Sequence, residues 1–199
     1  MTRVVLATHN QHKAAEFQDI LGNAIPGLEI VPYDGPEPVE DGVTFEANAL
    51  IKARVAAAHT GLPALADDSG ICVDAMGGAP GIFSARWAGS HGDAEANLRL
   101  LLDQIVDLPD GSRGAHFTAT LALVTPAGEE TVVQGVWPGG IAHEPRGSHG
   151  HGYDPIFVPT GHDGKTAAEL GPDVKNVESH RARAFAAVIP ALTALVARG

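Results

Sequence analysis

The chain has 199 residues, 44% apolar and 19% charged, with a formal net charge of −11. That length suits a single domain over residues 1–199, and the apolar content suffices for a sizeable core, which excludes wholesale disorder. The acidic balance excludes general nucleic-acid binding and attachment to anionic membranes, both of which need a basic face, but not an anionic small ligand met by a local Lys/Arg cluster.

Cys72 is the single cysteine, so an internal disulfide and a thiolate zinc site are both excluded, and the residue reads as a small buried hydrophobe. No apolar stretch is long enough to span a bilayer. Met1-Thr2-Arg3 leads straight into a short strand-like run, too short for a signal-peptide core, so a cytoplasmic location is expected.

Arg3 to Ala7 reads as a buried strand. Thr8-His9-Asn10 is a polar turn, and Gln11 to Leu21 carries a helical pattern through Ala14, Phe17 and Leu21. Strand, polar turn and helix together place backbone N–H groups and a helix dipole at one spot, which suits an anion, and Lys13 adds a charge there. The plainer account is a capped helix with a solvated lysine. Glu29 to Val31 is a second candidate strand, and Pro32 to Asp41 a loop rich in Pro, Gly and acids. Thr44 caps a strong helix running to Thr60, with Gly61 as its stop. Glu46 on its first turn complements the dipole.

Ala64 to Ala66 reads as a buried strand, with Ile71 to Ala75 as its continuation or return. Asp67-Asp68-Ser69-Gly70 is then expected at a strand end, where ligand groups gather in open α/β sheets. Two adjacent half-buried carboxylates call for positive charge, and a divalent metal would supply it. An Asp-rich turn bonding its own backbone is the plain alternative.

Asp93 caps a helix to about Asp107, with Leu98, Leu101, Leu102 and Ile105 as its core stripe. His116 to Thr125, Pro126-Ala127-Gly128 and Thr131 to Trp137 read as a β-hairpin. Gly139 to Gly152 reads as a glycine- and histidine-rich loop, and His143, His149 and His151 without a Cys or an acid cluster are a weak metal signal. Gly161 to Thr166 ends like a phosphate loop, but Pro159 stands where that pattern needs glycine. Thr166-x-x-Glu169 is instead a capping box for a short helix ending near Gly171-Pro172. Ser179 caps the last helix, which puts His180 and Arg181 on its first turn, against the dipole. Phe185, Val188, Ile189, Leu192 and Leu195 form its apolar face, and Pro190 is expected to kink it.

Several segments together carry a resemblance. They are Thr8-His9-Asn10-Gln11-His12-Lys13, Glu40-Asp41-Gly42-Val43-Thr44-Phe45, Asn48 to Ala53, and Asp67-Asp68-Ser69-Gly70 with Gly77 to Arg86. Gly152-Tyr153-Asp154-Pro155-Ile156-Phe157 and Lys175-Asn176-x-x-Ser179-His180-Arg181 complete the set. In this order they resemble the inosine triphosphate pyrophosphatase family, which hydrolyses non-standard purine nucleoside triphosphates to monophosphate and pyrophosphate. The resemblance implies an α/β fold: a long mixed central sheet flanked by helices, in two lobes with the active-site cleft between them, usually as a homodimer.

It also implies Mg²⁺ on Glu40 and Asp68, with Asp67 as a further candidate, and Asp68 as the group that orients or deprotonates the attacking water. Thr8, His9, Asn10, Gln11, His12, Lys13 and Lys52 would hold the triphosphate. Ser69, His151, Gly152, Tyr153, Asp154, Lys175, Ser179, His180 and Arg181 complete the implied substrate contacts. Relatives commonly place Phe at the position of His151, and an imidazole there stacks over less area. The implied substrates are ITP, dITP and XTP. A Maf-type pyrophosphatase shares fold and reaction but is expected to lack the Ser179-His180-Arg181 motif. A nucleotide sensor without turnover would have no need of Glu40, Asp67, Asp68 and Lys13.

Overall fold

The computed structural model describes residues 1–9 and 17–198. Asn10, Gln11, His12, Lys13 and Ala14 of the sequence reading lie outside the described residues. Six strands form one mixed sheet: β1 (Thr2–Leu6), β2 (Leu28–Pro32), β3 (Ala64–Val73), β4 (Gly114–Val124), β5 (Glu130–Ile141) and β6 (Phe157–Pro159), in the order β2-β1-β3-β4-β5-β6. The helices are α1 (Phe45–Thr60), α2 (Ala94–Gln104), α3 (Pro172–Glu178) and α4 (His180–Arg198). The chain divides into two compact units, one of residues 1–68, 119–135 and 184–199, the other of 69–118 and 136–183. Strands β3, β4 and β5 each contribute to both.

In the first unit β1 runs parallel to β2, with Val4 opposite Ile30, and parallel to β3, with Val5 opposite Ala64. Side chains alternate across the sheet. Val4, Leu6, Leu65, Leu121 and Leu123 point to one face, where they meet Phe17, Leu21 and Ile25 and the α4 residues Phe185, Val188 and Leu192. Val5, Ala64, Ala66, Ala122 and Val124 point to the other, where α1 covers them with Ala49, Ala53, Ala56 and Ala57. With both faces buried, these strands read as continuous apolar runs. Alanines on α1 let that helix lie close to the strands.

The termini of α1 follow the sequence reading closely. Thr44 is the N-cap, its Oγ1 accepting from Ala47 N, and Gly61 closes the helix in the left-handed region at φ 68°. Glu46 is exposed on the first turn, where its charge suits the dipole. The helix expected over Gln11 to Leu21 is helical over residues 17–24 among the described residues, with a π turn at Gln18–Gly22. Phe17 and Leu21 are buried as expected.

In the second unit α2 begins at its cap, Asp93, whose side chain accepts from Ala96 N. Leu98, Leu101 and Ile105 pack with Ile71, Val73, Phe117, Trp137, Ile156 and Phe157. β4 and β5 are the expected hairpin, reaching further than the sequence pattern, and β5 pairs antiparallel with β6.

Four expectations are corrected. Asp67 to Gly70 lie inside the ten-residue β3, not at its end. It is β1 that ends at this level: Ala7 N still reaches Leu65 O, and β1 itself stops at Leu6. Gly139 and Gly140 belong to β5, because strand pairing with β6 outweighs glycine's low strand propensity. A Cβ on Gly139 would lie 2.3 Å from Val158 O, so glycine is what lets β6 close in. Thr166 and Glu169 form a single turn with no helix. Glu169 Oε2 accepts from Thr166 N as a capping box requires, but Thr166 Oγ1 donates to Arg146 O instead of accepting from Glu169 N. Gly171-Pro172 starts a helix where a stop was expected: Gly171 is the N-cap of α3 and Pro172 opens its first turn, a position proline favours. Lys175 and Asn176 therefore sit on α3, one helix before Ser179. Pro190 lies inside α4, which continues through it. Among the described residues no helix is long and apolar enough to cross a membrane.

Thr44→Ala removes the acceptor at the start of α1, and a loss of ~1 kcal/mol is expected. Urea denaturation measures it, with a lowered midpoint at unchanged m-value as the expected result.

Candidate active site

The first unit gathers an acidic cluster around the front of α1. Residues 48 and 52 are one turn apart on that helix and share a face. Asn48 Nδ2 donates to Asp68 Oδ2 at 3.1 Å, and Lys52 Nζ pairs with Glu40 Oε1 at 3.2 Å. Lys52 is mostly buried, Asp67 is buried and Asp68 half-buried. Burial pushes the Asp68 carboxyl above the usual carboxylate range. The charge of Lys52 and the hydrogen bond from Asn48 pull it back, while the charges of Glu40 and Asp67 push it up again. Among the described residues, two carboxylates thus act on Asp68 against a single lysine.

Thr8 follows β1, its N–H donating to Leu6 O at 2.7 Å. His9 does more than the turn reading assigned it. Its Nε2 lies 2.9 Å from Gly35 O, its Nδ1 3.4 Å from Glu37, and its ring stacks on Tyr33. It ties the end of β1 to the loop that leads to Glu40. Asn10, Gln11, His12 and Lys13, the rest of the expected phosphate loop, lie outside the described residues.

The donors suit a hard cation. Glu40, Asp67 and Asp68 offer only oxygen, and their mutual repulsion is what a divalent ion relieves. No group of three His, Cys, Asp or Glu arranged to hold a metal occurs among the described residues. Glu40 and Asp68 could hold Mg²⁺, which usually takes one or two protein carboxylates and completes its shell with water and phosphate oxygens. His143 pairs with Asp110 at 2.5 Å, on the exposed surface, and with His149 and His151 forms no metal group among those residues.

The second unit holds the remaining expected residues. Ser69 is half-buried on β3. Asp154, buried, accepts from Lys175 Nζ at 2.6 Å and from His151 N at 2.9 Å, both at Oδ2. Gly150 makes room for that pair: its φ is +79°, and a Cβ there would lie 2.1 Å from Asp154 Oδ2 and 2.7 Å from Lys175 Nζ. Gly152 also has a positive φ. The His151 side chain is exposed.

Tyr153 belongs to the core. Its ring is buried and its hydroxyl donates to Ser84 O at 2.8 Å, so burial pushes the phenol's pKa up. Ser84 in turn accepts from Ile71 N and donates to Gly81 O, which locks the turn Gly81–Arg86 onto β3.

Ser179 is the N-cap of α4, its Oγ accepting from Ala182 N at 3.2 Å. The His180 ring stacks on Phe117, centroids 4.8 Å apart and planes within 12°. Phe117 meets Phe157 edge-on, and Phe157 packs on Trp137. Arg181 is half-buried, and no carboxylate pairs with it among the described residues. The sequence reading missed Phe117, Ser84 and the pairing role of Asn48. Only Asn48 carried a signal, its spacing of four from Lys52; the other two act through long-range packing.

Comparison with known proteins places these features in a lineage. Residues 4–191 match the model of the Ham1 family. A dITP/XTP pyrophosphatase of Leifsonia xyli subsp. xyli is 80% identical over 195 residues, covering 98% of each chain. A nucleoside-triphosphatase / dITP/XTP pyrophosphatase from Mycobacterium abscessus has a crystal structure that superposes with a TM-score of 0.83 at 51% identity, over 95% of this chain and 100% of that one. A HAM1 protein from Coxiella burnetii gives 0.90 at 42% identity, over 98% and 100%.

Asp68→Asn is expected to raise the melting temperature of the metal-free protein at neutral pH. The folded-state pKa of Asp68 is raised, so the ionised carboxylate opposes folding above that pKa. The gain should shrink as pH falls through the carboxylate range and the aspartic acid becomes neutral in both states. Thermal melts at neutral and acid pH read the difference; a mutant less stable than wild type at neutral pH would contradict it.

Proposed function

The chain belongs to the Ham1 family, and we propose that it is a Mg²⁺-dependent pyrophosphatase of non-standard purine nucleoside triphosphates: ITP, dITP and XTP. The observation that carries this reading is the grouping of Glu40, Asp67 and Asp68 around Lys52, with Asn48 on Asp68. The close relative from Leifsonia xyli, a dITP/XTP pyrophosphatase, supports the substrate class. The resemblance to the inosine triphosphate pyrophosphatases, read from the motifs alone, agrees with these relatives.

In this reading Glu40 and Asp68 hold the metal. When bound, Mg²⁺ supplies positive charge against the phosphate oxygens. Lys52 and the segment Thr8 to Lys13 hold the triphosphate. Asp68 takes the proton from the attacking water, whose oxygen adds to the α-phosphorus. The bond from the α-phosphorus to the bridging oxygen breaks, and pyrophosphate leaves with that oxygen. Lys175, His180 and Arg181 donate to the six-keto oxygen of the base, since lysine and arginine are donors only and histidine can donate. The adenine six-amino group is itself a donor and would leave those groups unmet. Asp154 holds Lys175 at 2.6 Å, and Phe117 holds the plane of His180.

With ITP and Mg²⁺, monophosphate and pyrophosphate are expected in equal amounts; orthophosphate released stepwise would overturn the reading. Asp68→Asn should lower kcat by at least ~10²-fold, the scale of lost general-base catalysis. ITP binding should survive better than turnover.

Base selection gives a separate expectation. A site built on hydrogen bonds to a keto oxygen rejects the mismatched base by ~10⁴-fold, so ATP should be a very poor substrate. Arg181→Ala should narrow the gap between ITP and ATP, mainly by slowing ITP. Values of kcat/KM for both nucleotides, on wild type and variant, decide it; an unchanged ratio would make Arg181 structural.

A further inference from the structure

Asn48 is 2% exposed, an amide among the alanines that line the buried face of α1. Its Nδ2 donates to Asp68 Oδ2 at 3.1 Å. A carboxylate only accepts, so Asp68 dictates which end of the amide faces it. Oδ1 must then point elsewhere. It is buried and meets no hydrogen-bond donor among the described residues. Buried acceptors are normally satisfied, so one that is not calls for an explanation. The amide has little freedom to turn toward another donor. A Cβ on Gly42 would lie 2.6 Å from Oδ1 and 3.0 Å from Asn48 N, so the chain before Thr44 closes tightly over this side chain.

We propose that Asn48 is a positioning residue for hydrolysis. Its Nδ2 fixes the orientation of the Asp68 carboxylate, and the close packing of Gly42 on its Oδ1 keeps the amide from turning away. The inference rests on the pyrophosphatase reading and adds a residue to it. A carboxylate held in one orientation presents the same oxygen to the attacking water at each turnover. A neutral amide is suited to this, because it donates to the carboxylate without adding charge of its own. A further carboxylate at this position would instead add like charge beside Asp67, Asp68 and Glu40. Gly42 is part of the same device, since only a residue without a side chain leaves Oδ1 where it is.

Two variants test this: Asn48→Leu, which keeps the size and removes both polar groups, and Gly42→Ala, which presses a methyl against Oδ1 and leaves the amide intact. Each is compared with wild type in ITP hydrolysis, in thermal melting, and in calorimetric titration of the nucleotide-free protein with Mg²⁺. For Asn48→Leu, kcat should fall by ~10²-fold, the scale of a misplaced reacting group, with KM for ITP little changed. Mg²⁺ affinity should fall by ~10-fold, as when a partner of a ligating carboxylate is lost. Melting temperature should hold, because the variant removes an unmet acceptor together with the one hydrogen bond. Gly42→Ala should move kcat and Mg²⁺ affinity in the same direction by less, and it carries the test if Asn48→Leu does not fold. Wild-type kcat and Mg²⁺ affinity in the folded variants would overturn the proposal, as would losses that only follow a fall in melting temperature. Orthophosphate as the product of wild type would overturn the reaction itself. Pyrophosphate from wild type with unaffected variants would overturn the role of Asn48 alone.

Discussion

Asp68 is held by Asn48 at 3.1 Å while Glu40 and Asp67 press their charge upon it and Lys52 relieves that charge. Much of the first unit is arranged to keep this group in place. Asn48 and Lys52 share a face only because α1 is regular from its first turn, and that regularity starts at the Thr44 cap. The helix lies close to the strands because its buried face is alanine. Larger side chains at 49 or 53 would push it away from β3 and draw Asn48 off Asp68. Half-buried acids oppose folding, and the flanking core of large residues under α4 is the compensation available in the same unit.

The second unit solves a different problem. Its polar groups are not mutually repelling acids but oppositely charged or hydrogen-bonded partners, each held by a second group. Asp154 receives Lys175 and the backbone of His151 on one oxygen. Phe117 holds the ring of His180. Ser84 receives Tyr153 at its carbonyl and ties its own turn to β3 through its hydroxyl. The base selection proposed above would need this kind of rigidity, because an unmet group discriminates only if it cannot swing to another partner. Glycine at 150 serves the same end by yielding space to the pair of Asp154 and Lys175.

Strand β3 carries both kinds of chemistry. Apolar at both ends, it is interrupted by Asp67, Asp68 and Ser69 at the level where its neighbour β1 has stopped. Where β1 ends is a property of the pairing and not of β3 itself.

Local chemistry was legible in the sequence. The cap at Thr44, the stop at Gly61, the cap at Asp93, the hairpin around Pro126-Ala127-Gly128 and the cap at Ser179 each depend on a few neighbouring residues whose side chains meet backbone groups close by. The motifs that led to the family were legible for the same reason: they are short runs. What the sequence left open is decided by partners far away along the chain. Strand pairing drew Gly139 and Gly140 into β5 and carried β3 straight through its acids. Arg146 O took the Thr166 hydroxyl and reduced an expected helix to one turn. Asn48 met Asp68 across twenty residues, and Phe117 met His180 across more than sixty. Spacing along the chain sets which groups a residue can reach within a turn or two. Which distant group it meets is set by how the strands pair and the helices pack, and only the folded chain decides that.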